Sequence, residues 1–178
     1  MPNLESDTAN FKSLNLAYSE AKNLIEVQFR QIDGLDTKAS NLLAATGIVL
    51  SVLISGQILS IFLNSKTGSP EYVMADYVLL GSASLFTLVS VILGVIALYV
   101  RHYKLSPDPR IIRTEYLNWT EEQTKLQILD NLILNFEDNA KTLSKKAALL
   151  QYGFTLFGFG TALLVIIFIV NLARHWGT

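Results

Sequence analysis

Residues 149–173 read LLQYGFTLFGFGTALLVIIFIVNLA, 25 positions without a charged side chain. A helix needs about 20 predominantly apolar residues to cross the hydrocarbon core, so this stretch predicts a spanning helix. Two more runs have the same character: Leu42–Leu63, 22 residues, and Tyr77–Val100, 24 residues. Buried helices of soluble proteins seldom stay uncharged for so long. Three such runs in 178 residues predict an all-α membrane protein with three transmembrane helices. Composition agrees: the chain is 51% hydrophobic and 16% charged, with mean hydropathy +0.37. Average soluble domains carry about 25% charged residues.

The remaining counts exclude several kinds of chemistry. The net charge is -1, without the basic excess of a nucleic-acid binder. Cysteine is absent, which removes disulfides, thiolate catalysis and Cys-based metal sites. The two histidines, His102 and His175, stand far apart in sequence. No nucleophile–base pair and no Gly-rich phosphate loop is recognisable, so neither an enzyme, a cofactor nor a metal is expected.

Basic residues in the flanks predict the orientation. Lys and Arg number 4 in residues 1–41, 1 in 64–76, 8 in 101–148 and 1 in 174–178. The rich segments, 1–41 and 101–148, are expected in the cytoplasm, with the loop 64–76 and the tail 174–178 outside the inner (plasma) membrane. About 40 polar residues precede the first apolar run, which therefore reads as a retained signal anchor. Tyr72, Tyr77, Tyr99, Tyr103, Tyr152 and Trp176 fall near span ends, where amphipathic rings prefer to sit.

Both cytoplasmic segments carry helical patterns. Leu14, Tyr18, Ala21, Ile25, Gln28, Ile32 and Leu35 alternate four-three spacings, and the stripe continues through Ala39 and Leu42 into the first span. Gly34 is its weak point, at about 1 kcal/mol relative to Ala. In the second segment, Ser106-Pro107-Asp108-Pro109 breaks the helix leaving the membrane, and Asp108 can cap a new one. Thr120-Glu121-Glu122-Gln123 is a capping box. From there Leu129, Ile133, Phe136, Ala140, Leu143, Ala147 and Leu150 repeat the four-three spacing into the third span. A lone stripe on a lone helix is not stable in water, so the two stripes are expected to pack on each other as a coiled-coil-like stalk. Ile133 and Phe136 are then expected against the stripe of Ile25 and Ile32, within one chain or between chains.

No Asp, Glu, Lys, Arg or His occurs within the three runs. Pumps and coupled carriers put such groups at depth, so the chain does not read as one. Small residues at Ala83, Thr87, Ser90, Gly94 and Ala97, and at Gly153, Gly158 and Ala162, predict close helix contacts. The first span spreads Ser51, Ser55 and Gln57 through its depth. These are the candidate pore-lining residues, although Gln57 could equally join an interhelical hydrogen bond. Arg101, Lys104, Arg110 and Arg113 cluster after the second span. They read either as positive-inside anchoring or as contacts to an anion, a lipid headgroup or a nucleotide.

The stretch 32–43, IDGLDTKASNLL, carries an Asp-x-Lys-Ala-x-x-Leu-Leu motif at Asp36, Lys38, Ala39, Leu42 and Leu43. It resembles the juxtamembrane motif of small helical membrane effectors of bacterial nucleotide-signalling immunity, the Pycsar transmembrane effectors and related SLATT-type proteins. The resemblance covers about 30 residues. The three spans depart from the two or four of those families, and 107–146 matches nothing in them. The resemblance implies an oligomeric, antiviral-defence membrane protein that perturbs the bilayer when a cytoplasmic signal arrives.

Two readings remain. One is a membrane-perturbing or pore-forming effector answering a cytoplasmic nucleotide or protein. The other is a non-enzymatic scaffold whose cytoplasmic helices bind a protein partner.

Overall fold

The structure is a computed structural model, and it describes residues 4–64, 70–100, 103, 116 and 119–176. Three helices account for nearly all of them: α1, Leu4–Asn64; α2, Pro70–Tyr99; and α3, Glu121–Trp176. No strand occurs among the described residues. All three helices are long and apolar enough to cross a membrane. The chain is an all-α, multi-pass membrane protein.

Each helix runs as the sequence chemistry dictates. Gly34 lies within α1 without interrupting it, because one glycine costs little against the sixty other residues that propagate the helix. Proline lacks the N–H that a first helical position would leave unsatisfied anyway, and Pro70 opens α2. This start lies seven residues before the apolar run. α3 opens on the capping box. The Thr120 backbone N–H donates to Gln123 Oε1 at 3.2 Å, and the Gln123 N–H donates to Thr120 Oγ1 at 3.3 Å. The expected helix start at Asp108 lies outside the described residues.

The chain divides into two compact units. The first comprises residues 1–34 and 101–145. Here α1 presents the stripe expected of it: Leu14, Tyr18, Ala21 and Ile25 are half-buried, and Gln28 and Ile32 are buried. α3 does not present the stripe expected of it. Its buried positions are Leu132 and Asn139, whereas Ile133 is 47% exposed and Phe136 36%. Phe136 meets α1 through its backbone, whose carbonyl accepts a hydrogen bond from Gln28 Nε2 at 3.0 Å. Tyr116 is buried, accepts a hydrogen bond from Asn131 Nδ2 at 3.1 Å and stacks at a tilt on Trp119 with centroids 5.1 Å apart.

The second unit comprises residues 35–100 and 146–178. Its core is Ala39, Leu42, Ala97 and Leu150, with Leu35, Leu98, Leu149 and Phe157 packed against it. On α2 the small-residue line is buried as its spacing predicts: Ala83, Thr87, Ser90, Gly94 and Ala97 all face inward. On α3 the expected strip needs correction. Gly153 and Gly160 are buried, while Gly158 and Ala162 are exposed, with nothing within 4 Å of a Cβ placed at Gly158.

One observation explains both corrections on α3. Apart from Leu150, which lies on the expected stripe, its buried positions 132, 139, 146, 153, 160 and 167 recur every seven residues. In lipid there is no hydrophobic force between helices, so close contact falls where side chains are smallest, at Gly153 and Gly160. The same line continued backwards reaches Lys146, Asn139 and Leu132. The most apolar stripe of α3 lies one residue beside that line.

Candidate functional site

The motif residues 36–43 lie where α1 meets α2 and α3 in the second unit. Ala39 and Leu42 are completely buried. Leu42 reaches into the space that the missing side chain of Gly153 leaves: a Cβ there would stand 2.9 Å from Leu42 Cδ2. Leu43 fills the corresponding notch of α2, where a Cβ on Gly94 would come within 3.1 Å of Leu43 Cδ2. The motif's alanine and its first leucine are therefore packing residues. Ala39 supplies a small contact, and Leu42 fits beside a glycine.

Asp36 has an electrostatic role. Its carboxylate pairs with the Lys146 ammonium. The Lys146 side chain is wholly buried and the Asp36 side chain is 34% exposed. A buried ammonium is costly unless it is paired and hydrogen-bonded, so Asp36 is what permits a lysine on the buried line of α3. Lys38, the motif's other charged residue, is exposed. By sequence Lys146 reads only as one of the positive-inside residues of 101–148. The signal that could have found it was its spacing of seven from Gly153, in the polar line Asn139–Lys146.

Beyond the motif, α2 and α3 approach closely. Ser90 Oγ donates to the Gly153 carbonyl at 2.8 Å, which ties the two helices by a side chain-to-backbone bond. At Gly160 a Cβ would stand 2.9 Å from Thr87 Oγ1 and 3.2 Å from the Ala83 carbonyl oxygen. Thr87 spends its hydroxyl on the Ala83 carbonyl at 2.8 Å. No hydroxyl in this contact is left without a partner, as a water-poor setting demands.

The candidate pore residues are placed differently. Ser51 and Ser55 face outward on α1. Ser51 Oγ donates to the Ile48 carbonyl at 2.7 Å, and Ser55 Oγ to the Ser51 carbonyl at 2.8 Å. Their hydroxyls are satisfied by their own helix, so exposure to lipid costs them less than an unpartnered hydroxyl would pay. The Gln57 side chain lies outside the described residues, as do Arg101, Lys104, Arg110 and Arg113. Thr46 faces inward and bonds the Leu42 carbonyl at 2.7 Å.

In the first unit the α1–α3 contact is polar. Gln28 and Asn139 are buried, and the Gln28 Oε1 atom has no hydrogen-bond partner among the described residues. Lys125 Nζ donates to Asn15 Oδ1 at 2.8 Å and pairs with Glu121. That pairing, through the hydrogen bond first and the charge second, holds the Glu121 carboxyl below the ordinary carboxylate range. A shallow recess lined by Leu14, Asn15, Glu121, Glu122 and Lys125 lies beside it. Its two carboxylates make it a poor site for an anion. No cluster of three His, Cys, Asp or Glu suited to a metal occurs among the described residues.

Comparison with known families matches residues 20–172 to the Pycsar effector protein domain. The match takes in the motif, the first two spans, all but the last residue of the third and the whole polar part of α3. No curated protein and no solved structure matches the chain.

Proposed function

The chain belongs to the Pycsar effector protein domain family, and from that membership we propose an oligomeric membrane effector that perturbs the bilayer when a cytoplasmic signal reaches it. The observation that carries this reading is the extent of the family match, which takes in most of each of the three described helices long enough to span. The absence of Asp, Glu, Lys, Arg and His within 42–63, 77–100 and 149–173 supports it. A bundle without charge at depth is suited to opening a barrier rather than to coupled transport. With no charged ring, such an opening should discriminate poorly between small ions.

In this reading the protein sits in the inner membrane with its N-terminus in the cytoplasm and its C-terminus outside. It acts without enzymatic chemistry. Ser51, Ser55 and Gln57 line the opening, and Arg101, Lys104, Arg110 and Arg113 contact lipid headgroups or an anionic nucleotide signal. The test is membrane potential in cells expressing the chain, read with a voltage-sensitive dye. Wild type should depolarise the membrane, and Gln57→Leu should depolarise it less at equal membrane abundance. Equal depolarisation by both would remove Gln57 from the pathway.

A second reading has one observation in its favour. Ser51 and Ser55 satisfy their hydroxyls within α1, so the first span needs no aqueous lumen. The protein would then be a non-enzymatic scaffold whose cytoplasmic helices bind a protein partner. A membrane potential that is unchanged on expression, with or without added nucleotides, would favour the scaffold.

A further inference from the structure

We infer that the contact between α1 and α3 in the first unit is built to open, with Gln28 as the residue that weakens it. Gln28 is 3% exposed and stands within the contact. Its Nε2 donates to the Phe136 carbonyl at 3.0 Å. That carbonyl lies inside α3, where the N–H four residues on already uses it. The other end of the amide, Oε1, is out of contact with solvent and has no hydrogen-bond partner among the described residues. Turning the amide over would set Oε1 against the Phe136 carbonyl oxygen, two acceptors face to face. Neither orientation therefore satisfies both ends.

Little else in the contact offsets this. Along 13–34 and 119–145 four positions are buried, Gln28, Ile32, Leu132 and Asn139, and two of the four are amides. In the second unit, by contrast, the inward-facing hydroxyls of Thr46, Thr87 and Ser90 each have a partner. An unmet buried acceptor lowers the equilibrium constant of a contact by roughly five- to a hundred-fold. Methionine has nearly the shape of glutamine without the amide, and the Phe136 carbonyl would keep its helical bond beside it. The contact is thus held below the strength that its own geometry permits. Any ligand or partner shifts such an equilibrium only by its differential affinity for the two states, so a weakened contact asks less of it. The inference takes nothing from the proposed effector activity.

The chain has no cysteine, so a single introduced cysteine reports its own site. Ile32→Cys and Leu132→Cys place a thiol on either helix of the contact, at positions 5% and 9% exposed. Gln31→Cys places one on the exposed side of α1. The full chain in detergent micelles is labelled with a water-soluble maleimide, with and without Gln28→Met. Both buried thiols should react more slowly than Gln31→Cys, and Gln28→Met should slow both by about tenfold while leaving Gln31→Cys unchanged. Amide exchange of residues 14–32 in the cysteine-free chain, Gln28→Met against Gln31→Met, decides the matter if a cysteine itself opens the contact. Slower exchange in Gln28→Met alone supports the inference. Labelling and exchange that are unchanged or faster in Gln28→Met would overturn it, since the Gln28 amide would then be fully satisfied. Neither measurement reads bilayer permeability, so failure here leaves the proposed effector activity standing.

Discussion

Lys146 and Asp36 illustrate how one buried charge constrains its partner. Asp36→Asn leaves the ammonium on the buried line without its counter-charge. Breaking such a pair from one side costs roughly 3 kcal/mol, at the lower end for buried pairs because Asp36 is partly exposed. Lys146→Met in the same chain should recover much of that loss, since both partners are then uncharged. Denaturation in detergent micelles reads both values. Equal loss in the single and double variants would mean that the pair is not coupled. Gly160 and Gly158 give a second contrast two residues apart. Gly160→Ala drives a methyl towards the Ala83 carbonyl and Thr87, at about 1–3 kcal/mol. Gly158→Ala meets nothing and should be neutral or slightly stabilising. A size-exclusion or thermal assay that ranks the two the other way would refute the contact between α2 and α3. Sequence pattern alone selected Gly158 for that contact. Small residues mark where helices can approach, but the phase of the line is fixed by the partner helix, here Thr87 and Ala83.

At the scale of elements, α1 was readable because its apolar stripe and its buried line coincide from Leu14 through Leu42. The polar Gln28 already sat within that stripe. On α3 the two lines diverge before Leu150. Apolar periodicity selected Ile133 and Phe136, while the line through Gly160 and Gly153 buries Lys146 and Asn139. Leu132→Ala should therefore cost about 2–5 kcal/mol, and Phe136→Ala only roughly 1 kcal/mol in dispersed protein. Chemical denaturation of the two variants checks the order. The start of α3 was legible residue by residue, since a capping box is a local signal. Thr120→Ala should cost about 1 kcal/mol of local stability, visible as faster amide exchange in the first turn. Glu121 adds a pH dependence of definite sign. Its carboxyl is held below the ordinary range in the folded state, so its contribution is present above the unfolded value. That contribution is lost as pH falls through the lowered folded value. Lys125→Ala should return the Glu121 titration, followed by carboxyl NMR, towards the ordinary value.

The whole molecule combines a lipid-facing bundle with a polar helical part. Its spanning character was legible because three uncharged runs leave few alternatives. Orientation rests on basic-residue counts and is tested by cysteines at Ser65 and Ser106. Ser65→Cys should react with a membrane-impermeant thiol reagent in intact cells, and Ser106→Cys should not. The reverse labelling would invert the topology. In the proposed function this bundle breaches the bilayer. It is tested with purified chain reconstituted into potassium-loaded liposomes, alone and with a panel of nucleotides. The account predicts potassium release by wild type under at least one of these conditions. It also predicts less release by Gly160→Ala, whose helix contact is disturbed. Liposomes that retain their potassium under every condition, with the protein inserted and folded, would contradict it.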